Sequence, residues 1–409
     1  MTSTLLRAVS VAALLAATAL AAAPIQAAAA DTTPKLTRDV AKNLQDAQKA
    51  DGAKDFPTAL TALKAAQAVP NRTPYDDFMI NQFLMQTDLG LNDNAGAAAA
   101  AEAAADYNAI PDAQKSGIVH NALALSLMVK QYDKAVIYAK QLEGMTPPPD
   151  ARTQSYMIQA YAFGGNYPAA IALAKKPVDA ALAAGQKPTL DQINQLFQAQ
   201  AMAKDEAGAQ ATLQLRAATY NDPDDWARIT DAILGTKGET DLDLIYLGRL
   251  LFATGAKVTP QDATIVGQTA SHLTFFGDAL TAQQRGGTGF GDPTARAAAD
   301  KKTMPAQIAA GQKQGGQYNI KLAEALYSYG MYPEAEAAAR LAQSKGGATD
   351  PTEVPMVLGM SLAAQGKYAD AVPIFASVKG GSPATPRVAS LWADFSKMKA
   401  APPAAAAAQ

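Results

Sequence analysis

The chain has 409 residues, of which 49% are hydrophobic and 7% aromatic, and its formal net charge is -2. This near-neutral charge gives no electrostatic reason to expect a nucleic acid or an anionic membrane surface as partner. The chain has no cysteine, which excludes disulfides, thiolate metal sites, cysteine nucleophiles and a lipid-modified cysteine anchor. Long alanine runs favour helices that pack closely together.

The first 30 residues have the pattern of a cleavable secretory signal peptide. Arg7 supplies a positive charge, residues 8–23 form an apolar stretch without charge, and the small residues Ala27–Ala30 precede Asp31. An uncleaved membrane anchor is the alternative, but the apolar stretch is short for a membrane span. We therefore expect a soluble mature protein without a transmembrane anchor, located in a bacterial periplasm or secreted beyond it.

A short sequence pattern, an aromatic residue followed three positions later by alanine, returns along the chain. Several copies are spaced close to the roughly 34-residue period of helix-turn-helix repeats. Asn94, Ala97 and Ala101 mark a weaker copy between the first two. The full copies are Phe56…Ala59, Tyr132…Ala135, Tyr167…Ala170, Tyr332…Ala335 and Tyr368…Ala371.

Each copy lies in the same context: an apolar-periodic helix, a short turn with Gly or Asn, and then the aromatic residue with a second helix. The last copy is the clearest, with Leu358-Gly359 on its first helix and Ala371 followed by Phe375 on its second. We expect Gly359 and Ala371 to lie where the two helix backbones approach most closely, because larger side chains would clash there. One hairpin cannot bury its apolar face alone, so several must stack.

These motifs resemble those of tetratricopeptide-repeat proteins, and the likeness covers most of Lys35–Lys399. The resemblance implies an exported protein with an all-α fold, a right-handed α-solenoid of stacked helix-turn-helix repeats. A narrower likeness is to periplasmic repeat proteins that accompany TonB-type energy-transducing systems. It depends on the order of the degenerate repeats and on the closing unit from Gly346 to Phe375.

The repeat spacing breaks down between Leu242 and Gln317. Within this part, Leu242–Thr254 and Gln261–Phe276 are predicted helices, and Gly286–Pro293 is a flexible or sharply turning connection. We interpret it as an elaborated repeat within one array; a hinge between two subarrays is the alternative. The predicted organisation is a signal peptide at 1–30, an N-terminal array at 31–240, an irregular helical region at 241–316, a C-terminal repeat pair at 317–399 and a disordered Ala/Pro tail at 400–409.

No motif predicts a catalytic, cofactor-binding or metal-binding residue. The glycine-rich segment has the spacing of a phosphate-binding loop, but Asp292 and Pro293 follow where Lys and then Ser or Thr are required. His120 and His272 are the only histidines, and neither has a metal-binding partner at helical spacing. The acidic segment Asp222–Trp226 lacks the glycine of a calcium loop and is better explained by helix capping.

Binding of another protein is the positive hypothesis. In repeat arrays of this kind, the first helices of successive hairpins line a concave groove that can hold a partner segment. We therefore expect a non-catalytic interaction scaffold or adaptor in the cell envelope, with an envelope protein as partner and no cofactor. The resemblance to the family places these side chains toward the groove: His120, Met128, Arg152, Gln159, Phe163, Gln317, Glu324, Tyr327, Glu353, Met356 and Met360.

Two other functions stay open. A periplasmic solute- or peptide-binding protein would gather several aromatic residues around a pocket, yet the only tryptophans are Trp226 and Trp392, and Trp392 lies near the end. A glycan-processing enzyme built on a helical toroid would need a Tyr or His base with Arg support in one cleft. Tyr161, His120 and Arg152 would have to meet there, although no motif requires it.

Overall fold

A computed structural model of the protein describes residues 34–110, 112–234 and 238–401. In these ranges the chain forms 20 helices and no strand, which confirms the all-α prediction. The predicted signal peptide and residues 402–409 of the predicted tail lie outside the described residues. No helix within the described ranges is long and apolar enough to cross a membrane. The helices belong to two compact units, divided after Ala109, and each is described separately.

The first unit stacks two helical hairpins. Its helices are α1 (Arg38–Gly52), α2 (Phe56–Gln67), α3 (Pro74–Gly90) and α4 (Asn94–Ala105). The carboxylate of Asp76 joins α1 to α3, because it accepts hydrogen bonds from the backbone N–H and hydroxyl of Thr37 at 2.8 and 2.6 Å. The core is apolar and includes Val40, Leu44, Leu63, Ile80 and Leu84.

The second unit continues with hairpins of the same kind, and neighbouring helices pack in sequence. Its helices are α5 (Asp112–Met128), α6 (Tyr132–Glu143), α7 (Ala151–Phe163), α8 (Tyr167–Ala183), α9 (Leu190–Met202), α10 (Glu206–Tyr220), α11 (Pro223–Leu234), α12 (Asp241–Thr254), α13 (Pro260–His272), α14 (Phe276–Gln284), α15 (Thr294–Gly311), α16 (Gly316–Ser328), α17 (Tyr332–Lys345), α18 (Glu353–Ala364), α19 (Tyr368–Ala376) and α20 (Thr385–Ala400).

The repeated sequence pattern marks the start of the second helix in each hairpin. All five aromatic residues are the first residues of their helices, α2, α6, α8, α17 and α19. The alanine three positions later is fully buried in every copy. The expected close approach is also confirmed in the last hairpin, because a Cβ placed on Gly359 would lie 2.6 Å from the ring of Phe375. Small residues at these positions therefore allow the two helices to pack.

The irregular region contains a further copy of the pattern that the sequence analysis missed. The predicted helix Gln261–Phe276 is wrong at its end, since α13 stops at His272 and Thr274 adopts a positive φ of 62°. Helix α14 then begins at Phe276, and Ala279, three positions later, is fully buried. The glycine-rich segment that follows connects α14 to α15, as predicted.

The second unit turns back on itself at its C-terminal end. Helix α20 packs against α10 and α12 as well as against α18 and α19. The indole Nε1 of Trp392 donates to the carbonyl of Tyr246 at 3.0 Å, and Thr385 donates its hydroxyl to Asp243 at 2.8 Å. These bonds join segments that are more than a hundred residues apart in sequence. The predicted repeat pair at 317–399 thus ends in a fifth helix that closes the array.

Candidate ligand-binding pocket

The closure of the second unit creates a pocket of about 350 Å³ that is lined by residues of α12, α14 and α16 to α20. Six of the side chains around it are aromatic, and they come from five different helices. Ala253 and Ala364 at its edge are exposed, so the pocket opens to solvent. The aromatic lining consists of Phe252, Tyr327, Tyr332, Tyr368, Trp392 and Phe395.

A buried ion-pair network forms one wall of the pocket. Arg249 of α12 donates to Asp278 of α14 at 2.7 Å and to Glu324 of α16 at 2.6 Å. The exposed fractions of these three residues are 4%, 6% and 0%. Tyr246 also donates its hydroxyl to Glu324 at 2.6 Å. Burial of charge is tolerated here because both carboxylates pair with Arg249 and Glu324 also accepts the hydrogen bond from Tyr246.

Aromatic rings surround the guanidinium group of Arg249. Its Cζ atom lies 4.4 Å from the ring centroid of Tyr327 and 5.6 Å from that of Phe275. Both distances suit a cation–π interaction, in which the negative face of the ring attracts the positive charge. The pocket therefore already presents aromatic faces to one cation of the protein itself.

Two tyrosines at the pocket, Tyr327 and Tyr332, are held in their neutral form. Burial raises the pKa of Tyr327 and of Tyr332 above the usual tyrosine range. The negative charge of Asp278 acts in the same direction, while the guanidinium of Arg249 opposes it. Their hydroxyl groups can donate hydrogen bonds to a ligand, but neither tyrosine is prepared to act as a base near neutral pH.

Helix α20 supplies two of the six rings. Trp392 stacks on Phe375 with ring centroids 5.7 Å apart, and Phe395 meets Trp392 edge to face at 5.9 Å. The sequence analysis counted the position of Trp392 near the end of the chain against an aromatic pocket. That inference was wrong, because the return of α20 to α12 brings the end of the chain beside Tyr246.

The predicted groove residues of α5 and α7 do come together. His120 places Nδ1 2.8 Å from the hydroxyl of Thr153, and its ring lies 5.5 Å from that of Tyr156. Burial lowers the pKa of His120, against the opposing effect of Asp150. Arg152 is exposed and contacts the hydroxyl of Tyr156 at 3.4 Å.

The other predicted residues of this region form a partly open surface. Met128 and Gln159 are half-buried. Phe163 is 40% exposed and stacks on Tyr132, with ring centroids 5.2 Å apart. Tyr161, considered above as a possible base, donates instead to Glu143 at 2.8 Å and is buried. The structure therefore shows Tyr161 bonded to Glu143, not to His120.

The predicted groove residues of α16 and α18 require a correction. Met356 and Met360 are fully buried in the core. Glu353 is also buried, and it accepts hydrogen bonds from Lys321 at 2.8 and 2.9 Å. These side chains were predicted on an open concave face, but at these positions the interior of the unit is closed and packed. They stabilise the unit and offer no surface to a partner.

Three other predicted residues of this region have different roles. Glu324 pairs with Arg249, as described above, and is fully buried. Tyr327 lines the pocket, so it is the predicted residue that lies at the candidate site. Gln317 is half-buried and accepts a hydrogen bond from the backbone N–H of Thr349 at 2.6 Å, which holds the loop before α18.

Sequence reasoning missed the two charged residues that define the pocket, Arg249 and Asp278. One readable signal was the position of Arg249, a single charge inside the apolar run from Leu244 to Leu251. A charge in a helix that is apolar on all sides has to be paired in the interior. The overlooked Phe276…Ala279 copy was the second signal, because it places Asp278 in the first turn of a buried helix.

Comparisons with known proteins give no family or relative for this chain. No protein-family model matches it, and no curated protein matches it. The described residues also contain no group of three His, Cys, Asp or Glu side chains arranged to hold a metal ion. The resemblance to exported tetratricopeptide-repeat proteins therefore stays a prediction, and the candidate function has to be argued from the pocket.

Proposed function

We propose that this protein is a non-catalytic binding protein of the bacterial cell envelope, which holds a segment of a partner protein with one side chain seated in the aromatic pocket. The observation that supports this is the gathering of six aromatic rings around one open pocket. Large aromatic side chains supply contact area at a low entropy cost and dominate the energetics of many interfaces.

The size of the pocket favours a side chain over a whole solute. Small-molecule sites typically measure ~300–1,000 Å³ and enclose most of the ligand. At about 350 Å³ this pocket lies at the lower end of that range, and its edge is open to solvent. A peptide or protein segment can insert one side chain and leave the rest of its chain along the surface.

The chemistry of the pocket supports binding over catalysis. Tyr327 and Tyr332 have raised pKa values, which disfavours the tyrosinate that a glycan-cleaving base would require. Arg249 is already engaged with two carboxylates and is not directed at a separate substrate charge. Location in the cell envelope is proposed from the sequence pattern of the first 30 residues.

The test is capture of an envelope partner with a bait whose pocket is filled. Ala364→Phe adds a large ring at the exposed edge of the pocket without removing any existing contact. Ala337→Phe is the matched control, because Ala337 is an exposed helix residue of α17 that does not line the pocket. We expect crosslinked envelope extracts to yield a partner with the native protein and with the control, and to lose it with Ala364→Phe.

A partner retained equally by all three baits would show that the pocket is not the binding site. Binding of a small solute is the second candidate function, since gathered aromatic rings are also typical of sugar and peptide binders. A solute that raises the melting temperature of the native protein, but not of Ala364→Phe, would favour this second function. The same compound tested on Ala337→Phe separates occlusion of the pocket from a general effect of added surface.

A further inference from the structure

We propose that the side chain held in the aromatic pocket is a cation, the ammonium of a lysine or the guanidinium of an arginine in the partner segment. This inference rests on the proposed function and specifies the ligand of the same site. It is argued from the charge balance of the buried wall, from one carboxylate oxygen without a hydrogen bond, and from the aromatic rings.

The buried wall of the pocket carries one more negative than positive charge. Arg249 is opposed by two carboxylates, Asp278 and Glu324, and all three groups are at least nine-tenths buried. The neighbouring Lys321 and Glu353 neutralise each other at 2.8 Å. The first turn of α14 offsets part of the charge of Asp278 through the helix dipole. The remaining negative charge favours a cation close to Asp278, whereas Arg285 at the exposed edge of the pocket opposes it.

Asp278 has an oxygen left for such a cation. Both hydrogen bonds that it accepts from Arg249 go to Oδ2, at 3.1 and 2.7 Å. Among the described residues, none donates a hydrogen bond to Oδ1, although Asp278 is 6% exposed and lines the pocket. Because Asp278 lines the open pocket, this oxygen can accept a hydrogen bond from the N–H group of a ligand that enters it.

Aromatic rings supply the rest of the recognition. Rings that enclose a cation attract it through their negative faces, most strongly when water is excluded. The position of Arg249 over Tyr327, at 4.4 Å, shows that this pocket orients a ring face toward positive charge. Arg285 lies at the exposed edge, 4.6 Å over Phe252, and its own charge should weaken the binding of a second cation. Removal of the negative charge of Asp278 should therefore weaken the binding of a cation, and removal of the positive charge of Arg285 should strengthen it.

The experiment titrates three matched peptides, acetyl-Gly-X-Gly-amide with lysine, norleucine or glutamate at X, against the full chain. Trp226→Phe leaves Trp392, which lines the pocket, as the only tryptophan and hence as the fluorescent reporter. In this background we expect the lysine peptide to bind about tenfold more tightly than norleucine. Norleucine has nearly the same shape and no charge, so the difference measures recognition of the cation.

Two variants test the origin of that preference. Asp278→Asn should remove it, because the amide keeps an acceptor for Arg249 but loses the negative charge. Arg285→Gln should tighten binding of the lysine peptide severalfold, because it removes a positive charge from the exposed edge of the pocket. Asp191→Asn, at an exposed position of α9 outside the pocket, is the control for net charge. It should change neither the preference for lysine over norleucine nor the affinity for the lysine peptide. Thermal melts of each variant establish that the fold is retained.

The inference is overturned if norleucine binds as tightly as lysine, or if the glutamate peptide binds best. Either result leaves the proposed function intact, with a different side chain in the pocket. Absence of binding by all three peptides also overturns the cation inference. The proposed function is then decided separately by the capture experiment with Ala364→Phe, whose outcome does not depend on the identity of the inserted side chain.

Discussion

The first helices of the hairpins at α5 to α8 leave their predicted groove residues partly exposed, whereas those at α16 to α19 bury most of theirs. Both regions begin their second helices with the same aromatic pattern, at Tyr132 and Tyr167 in one and at Tyr332 and Tyr368 in the other. In the second region α20 returns to α12, and Arg249 of α12 bonds to Glu324 on the inner face of α16. The repeat pattern thus determines how a hairpin packs, while long-range closure determines whether its inner face is a surface or a core.

The largest expected effect concerns the charged side chains of the two regions. Arg249→Ala should lower the free energy of unfolding by about 3–5 kcal/mol, because it leaves the carboxylates of Asp278 and Glu324 buried without a partner. Arg152→Ala, in the exposed region, should cost less than about 1 kcal/mol. Denaturant unfolding followed by tryptophan fluorescence measures both, since Trp226 and Trp392 lie in the second unit. Equal losses for the two variants would contradict the buried network.

Closure by α20 can be tested through a pair of similar helix caps. Asp243 caps α12 and also accepts hydrogen bonds from Ser382 at 2.6 Å and Thr385 at 2.8 Å, which hold the start of α20. Asp243→Ala should therefore cost about 3 kcal/mol and expose the amides of α20 to faster hydrogen exchange. Asp262 is the corresponding third residue of α13 and bonds in the same way to its N-cap Thr259, at a half-buried position.

Asp262→Ala is the matched control for that experiment. It should cost about 1 kcal/mol, the order of one capping-box hydrogen bond, and leave exchange in α20 unchanged. Faster exchange in α20 with both variants would mean that general loss of stability, and not the bonds to Ser382 and Thr385, controls the closing helix.

Substitution by alanine should lower the stability of the protein at Gly359 and raise it at Gly117. Gly359→Ala places a Cβ 2.6 Å from the buried ring of Phe375, which stacks on Trp392 and has little room to move. We expect a loss of about 2 kcal/mol from overpacking. Gly117, on an exposed side of α5, has no atom within 4 Å of such a Cβ. Gly117→Ala should stabilise the protein by about 0.5–1 kcal/mol, and two melting curves against the native protein provide the test.

The smallest expected effect is a pH dependence in the exposed region. Burial lowers the folded-state pKa of His120, so the unfolded chain binds its proton first as the pH falls below about 6.5. The contribution to stability is therefore full above that pH and decreases as the pH falls toward the folded-state pKa. His120→Gln should flatten the stability profile between pH 7 and 5. An NMR titration of the His120 ring with a midpoint above 6.5 would contradict the burial effect.

Much of the fold could be predicted from the sequence because repeat hairpins are local. The aromatic residue, the buried alanine three positions later and the glycine at a helix crossing are all specified within one hairpin, as Gly359 and Phe375 show. Within the irregular region, the predicted helix Gln261–Phe276 was wrong at Thr274, where a left-handed turn separates two helices.

Most of the candidate site could not be predicted because it depends on contacts between distant segments. Trp392 reaches Tyr246 across 146 positions, and Arg249 reaches Glu324 across 75. No periodicity within a single repeat records such pairings. Tyr327 was predicted because alignment of the repeat units on their small crossing residue places it on an inner face, and the structure has it lining the pocket. Met356 and Met360 were placed on the same kind of face and are buried. The same repeat position therefore lies at an open surface in one hairpin and in the core in another.

The most direct test of the central claim is site-specific photo-crosslinking in cells that produce the protein. A benzoylphenylalanine is introduced at Gln284, an exposed position next to the pocket-lining Arg285, at Gln159 in the α7 groove, or at Ala337 as an exposed control. Binding in the aromatic pocket predicts a defined adduct with a partner from position 284 and none from position 337. An adduct from position 159 alone would contradict it, since the partner would then lie in the open groove and not at the closed end of the array.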